Sequence, residues 1–370
     1  MKINLGLIFG GRSGEHEVSL QSAKSIAENV NREKYNLFLL AIDKEGDWFL
    51  ADESFYLDNK DDPANIKLHI NDEQKIALIP KGISNQILKL SDHSLVARLD
   101  VVFPIIHGTF GEDGSLQGFM SMLNIPCVGA DVLGSAVGMD KLVAKKLLIN
   151  EGINVARHIV ADNKSEISVL IKEAEQKFGF PVFVKPACSG SSVGVYKSSD
   201  AKELGDSIKK SLHFDERVLI EEAIVGREIE CSVLGNDELI ASIAGEVIPK
   251  NSFYSYEAKY IDAEGAKLEM PAKLSENILN EIQNLAKKAY KVLSCSGMAR
   301  VDMFLKEDNS LVLNEINTLP GFTKISMYPK LLDLTGIPFP ELIERLIDLA
   351  IEKHQRKEKF LLNVLNDKSY

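Results

Sequence analysis

Three patterns predict an α/β chain of more than one domain. Buried strands alternate with amphipathic helices, glycine-rich turns carry strand into helix, and a polar-faced hairpin lies near the C-terminus. At 370 residues the chain exceeds one ordinary core, so two or three domains are expected. Hydrophobic content of 45% and charged content of 26% are those of a soluble globular protein. The net charge of -11 argues against a nucleic acid or an anionic membrane as partner, since both reward excess Lys and Arg. It leaves room for a nucleotide, whose triphosphate a few placed lysines and a metal ion can hold. No apolar run nears the roughly 18 residues of a membrane span. The N-terminus reads as a short apolar strand rather than a secretion signal. Cys127, Cys188, Cys231 and Cys295 are scattered without CxxC spacing, as in a reduced, cytoplasmic protein.

The elements follow in order. Residues 3–9 (INLGLIF) read as a buried strand. A glycine-rich turn then leads into a helix with Ala23, Ile26, Ala27 and Val30 on one face. Strands are expected at 37–42 and 101–106. Residues 46–95 are polar and irregular, with turn signals at 61–63 and 80–82, and read as an insertion with a little β structure. A helix over 139–150 carries Met139, Leu142, Val143 and Leu147 on its stripe. An αβ block runs from 155 to 222, with strands at 182–184, 193–196 and 218–220. Ile278, Ile282, Leu285, Ala286 and Ala289 fall in helical register, and a last helix is expected over 342–350. There is no internal repeat.

The hairpin at 298–323 (MARVDMFLKEDNSLVLNEINTLPGFT) is the most telling stretch. Period-two alternation puts Arg300 and Asp302 on one face of the first strand, and Glu315 and Asn317 on one face of the second. If the strands pair, Val301, Met303, Val312 and Ile316 point the other way. Two carboxylates and an amide oxygen suit Mg²⁺, with phosphate and water completing the shell. Arg300 could hold a phosphoryl group or an oxyanion. The competing interpretation is an ordinary solvated hairpin face, and on this stretch alone the two stand level.

Four further sites stand out. In FGGRSGEHEVS (9–19) the G-x-G-x-x-G spacing is missing, so no dinucleotide fingerprint is supported. Glu15 there suits either the helix dipole or a substrate ammonium. In IHGTFGEDGSLQG (106–118) His107 leaves a strand end where α/β sheets place ligand crevices, though a lone His is more often structural. In PVFVKPACSGSSVGVY (181–196) Lys185 precedes a Ser/Gly loop whose N–H groups suit phosphate oxygens. That loop also fits G-x-S-x-G, with Ser192 as a hydrolase nucleophile, but the motif demands strand–turn–helix and the flanks here read as strands. In VLIEEAIVGREIE (218–230) a strand carries Glu221 and Glu222 toward Glu228, either a charged hairpin or a reader of adenine and ribose. FYSYEAKY (253–260) reads as a lid or a tyrosine-packed loop.

The order of these parts makes a resemblance specific. The segments GGRSGEHEVSL, HGTFGEDGSLQG, GMDK, FVKPACSGSSVGV, EEAIVGREIE, YEAKY, MARVDMF and NEINTLPGFTKISMYP, spanning residues 10 to about 330, resemble the D-alanine–D-alanine ligases of the ATP-grasp superfamily. The match is to the longer subfamily with an insertion in the first domain. The resemblance implies a Rossmann-like parallel-sheet substrate domain over 1–134 (insertion about 46–95). A two-lobed ATP-grasp fold follows, its central lobe over 135–221 and its C-terminal lobe over 222–370. It implies ATP-dependent joining of two D-alanines through a D-alanyl phosphate, for peptidoglycan precursor synthesis in the cytoplasm, by a homodimer.

Residue by residue, the resemblance implies that Lys141, Lys185 and Lys259 contact ATP phosphates beside the loop that carries Ser192. Glu221, Glu222, Ala223, Ile224 and Glu228 hold adenine and ribose. Asp302, Glu315 and Asn317 bind two Mg²⁺, for which Mn²⁺ can substitute. Glu15 takes the ammonium of the first D-alanine and is linked through Ser191 to Tyr260, with His107 alongside. Arg300 and the N–H of Gly321 face the oxyanion. Ser326 receives the carboxylate of the second D-alanine, next to Met327, which stands where Leu is common. Tyr260 speaks against the D-lactate-using branch, where Phe is characteristic.

Overall fold

A computed structural model of the chain describes residues 2–80, 86–249, 266–323 and 325–366. β1 (Ile3–Gly10) leads through a turn into α1 (His16–Asn29), and β2 (Tyr35–Ile42) pairs with β1 in parallel. The insertion is more built-in than its polarity suggests. β3 (Trp48–Ala51) adds to β2 as an antiparallel edge. Two small hairpins follow, β4 (Leu57–Asp58) with β5 (Lys67–Leu68) and β6 (Ile76–Leu78) with β7 (Ile87–Lys89). Ile76 and Ile87 are buried beside Ile8 and Leu40, so this segment completes the core on one face of the first sheet. β8 (Val101–Pro104) closes that sheet in the order β3-β2-β1-β8. It stops two residues short of the predicted strand end.

In this order the chain steps from β1 outward to β2, then returns to the other side of β1 at β8. The crevice at such a reversal, outside the strand C-termini, is where open α/β sheets bind ligands. The turn after β1 carries Glu15, and the turn after β8 carries His107.

α2 (Ser115–Met122) and α3 (Val132–Met139) lead to α4 (Lys141–Asn150), which Asp140 caps by accepting from the N–H groups of Leu142 and Val143. The single helix predicted over 139–150 therefore begins at Lys141, because an N-cap interrupts it. Next come β9 (His158–Asp162), α5 (Ile167–Lys177), β10 (Val182–Pro186), β11 (Tyr196–Ser198), α6 (Ala201–Ser211) and β12 (Arg217–Glu222). They form an antiparallel sheet, β11-β10-β12-β9, with α5 and α6 packed on one face through Leu170, Ala174, Leu204 and Ile208.

The third sheet is built from β13 (Arg227–Gly235), β14 (Ile240–Pro249) and β15 (Ala266–Glu269), then α7 (Glu276–Val292), β16 (Gly297–Leu305) and β17 (Leu311–Asn317). Its order is β15-β14-β13-β16-β17. Alternation sends Ile229, Cys231, Val301 and Met303 into the core under α7. Glu228, Glu230, Arg300 and Asp302 consequently take the opposite face.

α8 (Met327–Leu334) and α9 (Phe339–Asn366) finish the chain. The apolar stripe of α9, Leu342, Ile343, Leu346 and Ile347, shares a core with Leu5, Leu7 and Phe9 of β1. The helix runs past the predicted 342–350 on polar contacts that leave no apolar period. Lys353 donates to the carbonyl of Gly129 at 2.6 Å and to Ser296 Oγ at 2.9 Å, and Lys357 meets Asp131 at 2.6 Å.

Candidate active site

The hairpin forms as alternation predicts, with Arg300 opposite Asn317 and Asp302 opposite Glu315. β13 extends the row, since Glu230 stands opposite Asp302 on its other side. The Arg300 fork donates to both Asp302 oxygens, at 2.7 and 2.6 Å, and its Nε lies 3.0 Å from Glu230. One expectation fails. A bulge after Asp302 shifts the register, so Leu313 rather than Val312 joins Val301, Met303 and Ile316 in the core. The bulge also frees Asn314 to reach across to the neighbouring sheet, where its Oδ1 accepts from Lys185 Nζ at 3.1 Å.

That neighbouring sheet supplies the cationic floor. Alternation along β10 and β12 buries Val182, Val184, Val218 and Ile220 beneath α5 and α6 and turns Lys185 and Glu221 to the other face. Lys185 Nζ lies 2.9 Å from Glu221 Oε2, and Lys145 Nζ lies 3.0 Å from Oε1. Burial alone would push the Glu221 carboxyl up. The two ammonium groups outweigh it and hold the carboxyl down to about 2. Glu222 turns outward to accept from Arg157. Lys141, first residue of α4, donates to the carbonyl of Ser189 at 2.6 Å and lies 3.7 Å from Glu315.

The 187–195 loop connects β10 to β11, an antiparallel neighbour, so it runs strand to strand. The nucleophile-elbow reading of Ser192 is thereby excluded. Ser191 and Ser192 both take positive φ, 49° and 60°, a backbone conformation uncommon outside glycine. Gly194 packs so closely against Phe214 and Pro186 that a Cβ would come within 2.8 Å of each.

A cleft of about 290 Å³ is lined by Lys141, Lys185, Ser191, Ser192, Glu221 through Ile224, Glu228 and Glu315. A smaller hollow of about 50 Å³ adjoins it and shares Lys141, Ser191 and Glu315. It adds Glu15, His107, Glu112, Asn317 and Gly321. A roomier surface hollow, about 720 Å³, lies over α1 and the insertion, between Lys24, Phe55 and Asp61. Its lining includes the exposed Asp61 and Phe55, whereas Lys185 and the buried Glu221 line the cleft, so the candidate site is taken to be the other two.

Around the small hollow, Ser191 Oγ donates to Glu15. His107 is buried, with Nδ1 3.1 Å from the carbonyl of Leu319 and 3.6 Å from Glu112 and Nε2 3.2 Å from Ser22 Oγ. Burial would push His107 down, but Glu112 beside it reverses the sign and holds it above its ordinary value. Burial, with Glu15 nearby, also raises Glu112. Gly321 lies so near Ser326 that an added Cβ would be 3.0 Å from its Oγ, which itself accepts from the Thr323 N–H at 3.1 Å. Met327, expected beside the second D-alanine, begins α8. Its side chain is buried with Val247 and Leu331, which leaves only its backbone at the first turn of α8 for a substrate. Lys259 and Tyr260 lie outside the described residues.

The sequence reading missed Glu112, Lys145, Glu230 and Asn314. Two had visible signals, Lys145 one helical turn after Lys141 and Glu230 two residues after Glu228 on the same strand face. Asn314 needed the bulge, and Glu112 needed the loop.

The donor set of Asp302, Glu315 and Asn317 is all hard oxygen, which fits Mg²⁺. Among the described residues no three His, Cys, Asp or Glu side chains form a complete cage. No described helix is long and apolar enough to cross a membrane.

Comparison with known proteins agrees with this geometry. The family profile for the D-ala D-ala ligase N-terminus matches residues 4–130, and that for the C-terminus matches 147–348. A D-alanine–D-alanine ligase of Oceanobacillus iheyensis is 52% identical over 97% of this chain and 98% of its own. The solved D-alanine–D-alanine ligase of Coxiella burnetii superposes with a TM-score of 0.84 at 35% identity, covering 97% of both chains. The VanG D-Ala:D-Ser ligase of Enterococcus faecalis gives 0.83 at 36% identity, covering 95% of this chain and all (100%) of that one. Matches of this extent establish that the chain belongs to the D-alanine–D-alanine ligase family, with the ATP-grasp fold.

Proposed function

We propose the following division of labour for the family reaction, the ATP-dependent ligation of two D-alanine molecules. The chain is a ligase of that type. The observation that carries the residue assignment is that Glu315, opposite Asp302 on the hairpin, lines one cleft with Lys141 and Lys185.

Glu221 through Ile224 and Glu228 take adenine and ribose, and Lys141, Lys185 and the 190–194 loop take the phosphates, joined by Lys259. Glu15, held by Ser191, takes the ammonium of the first D-alanine, with His107 beside it. A carboxylate oxygen of this first D-alanine attacks the γ-phosphorus of ATP, an O–P bond forms, the β–γ bridge bond breaks, and ADP leaves. Asp302, Glu315 and Asn317 would hold two Mg²⁺, or Mn²⁺, which neutralise phosphate charge when bound. The amine of the second D-alanine, its carboxylate held at Ser326, then attacks the acyl carbon. The tetrahedral oxyanion faces Arg300 and the Gly321 N–H, phosphate departs, and the amide remains. Tyr260 joins Ser191 and Glu15 at the first D-alanine, and the acyl phosphate must be kept from water.

We further read the protein as a cytoplasmic homodimer serving peptidoglycan precursor synthesis. The direct test is phosphate release from ATP that depends on D-alanine, with the dipeptide detected. Absence of both would sink the proposal. Competition between D-alanine and D-serine at the second site would separate this chain from the D-serine-using relative.

A further inference from the structure

Glu221 is 2% exposed, yet it answers two lysines. Lys185 and Lys145 each approach one oxygen of its carboxylate, at 2.9 and 3.0 Å. The lysines differ in access. Lys185 lines the nucleotide cleft, whereas Lys145 lies behind it on the buried face of α4, its side chain 3% exposed. The Lys145 ammonium and Glu221 Oε1 find no hydrogen bond among the described residues, so their contact is an oblique charge pair.

A carboxylate this deep needs a cation beside it. Were Lys185 its only partner, drawing that ammonium onto a phosphate would strand the charge. With two lysines on one carboxylate, the departure of Lys185 leaves a neutral pair. Lysine suits the movable role, being a point charge on a flexible stem. Asn314 Oδ1, 3.1 Å from Lys185 Nζ, gives it another contact on the cleft side.

We propose that Lys145 is a positioning residue for the nucleotide. As the standing partner of Glu221, it releases Lys185 to the phosphates and keeps Glu221 aimed at the exocyclic amino group of the base. This rests on the reading of Glu221 and Lys185 as base and phosphate contacts.

The test uses the full chain with Lys145→Met, Lys145→Arg, Glu221→Gln and the Lys145→Met/Glu221→Gln double variant. Each is assayed with ATP and with inosine triphosphate, which carries a carbonyl in place of the amino group. Lys145→Met is expected to raise the KM for ATP about tenfold and shrink the preference for ATP over inosine triphosphate by a similar factor. The KM for D-alanine should stay within about twofold, and Lys145→Arg should restore most of the loss. In the Glu221→Gln background, Lys145→Met should add nothing, since it acts through that carboxylate. The double variant removes both buried charges at once and keeps the comparison available if Lys145→Met alone does not fold. An unchanged KM for ATP and unchanged base preference would overturn the proposal. So would additive losses in the double variant, or equal losses for ATP and D-alanine with a lowered melting midpoint. Lys185→Met with an unaltered KM for ATP would overturn the underlying phosphate assignment, and the proposal with it.

Discussion

The two halves of the cleft are built by different means. The half proposed for nucleotide and metal stands on strands, where Lys185, Glu221, Asp302 and Glu315 take their directions from pleat and register. The half proposed for the amino acids stands on turns, where Glu15, His107, Glu112, Ser191 and Gly321 come from distant loops; His107, for one, meets the carbonyl of Leu319, 212 positions away. A strand-built site is fixed by the hydrophobic face behind it. A loop-built site is fixed by glycines and by contacts between distant segments. Losing a functional side chain should therefore spare the fold in the first half, and small backbone changes should damage it in the second.

The sharpest test of the first half is Glu315→Ala. The residue faces the cleft, so phosphate release should fall by about three orders of magnitude or more. The melting midpoint should hardly move, since Leu313 and Ile316 still fill the core. Preserved turnover would remove Glu315 from the metal set. The counterpart in the second half is Gly10→Ala. Gly10 has φ +89° and a Cβ there would sit 2.1 Å from the carbonyl oxygen of Ile42. A loss of roughly 2–4 kcal/mol is expected by chemical denaturation. An unchanged midpoint would show that the turn into Glu15 is looser than the packing implies.

The same contrast explains what could be read in advance. Arg300, Asp302, Glu315 and Asn317 were legible because period-two alternation survives any detail of tertiary packing. Val312 was misplaced because a bulge costs nothing visible in the sequence, and it took Asn314 with it. Glu112 was illegible for a different reason. Its role depends on a loop that folds back so that its carboxylate accepts from the Gly108 N–H at 3.1 Å beside His107, and no period encodes that. Trp48–Ala51 and Ile87 were hidden by their polar surroundings, which masked short strands inside the insertion. Met327 was placed beside the second D-alanine by resemblance alone, and resemblance does not say that its side chain packs in the core with Val247 and Leu331.

The halves should also respond to pH with opposite sign. Glu221 is held down to about 2, below its ordinary 4.5, so its contribution is present above the ordinary value and is lost as pH falls from there toward 2. His107 is held above its ordinary 6.5. Its contribution is complete below that value and is lost as pH rises through the higher folded one. Denaturation midpoints across pH should show the acid loss flattened in Glu221→Gln and the alkaline loss flattened in His107→Gln. Curves that keep the wild-type shape in both variants would break the electrostatic half of the comparison.

The smallest effect is expected at Met327, whose side chain packs in the core. Met327 is 5% exposed and packs against Val247, Leu331 and the backbone at Gly245, where an added Cβ would lie 2.7 Å from its sulfur. Met327→Leu conserves volume but trades a flexible thioether for a branched chain beside that glycine, so a change of at most about 1 kcal/mol is expected. The KM for the second D-alanine should stay put, because this side chain is buried in the core with Val247 and Leu331. A large KM change with an unmoved melting midpoint would return the side chain to the substrate site. A large stability loss would instead mean that α8 tolerates no repacking against β14, making this end of the cleft as dependent on local fit as the loop-built half.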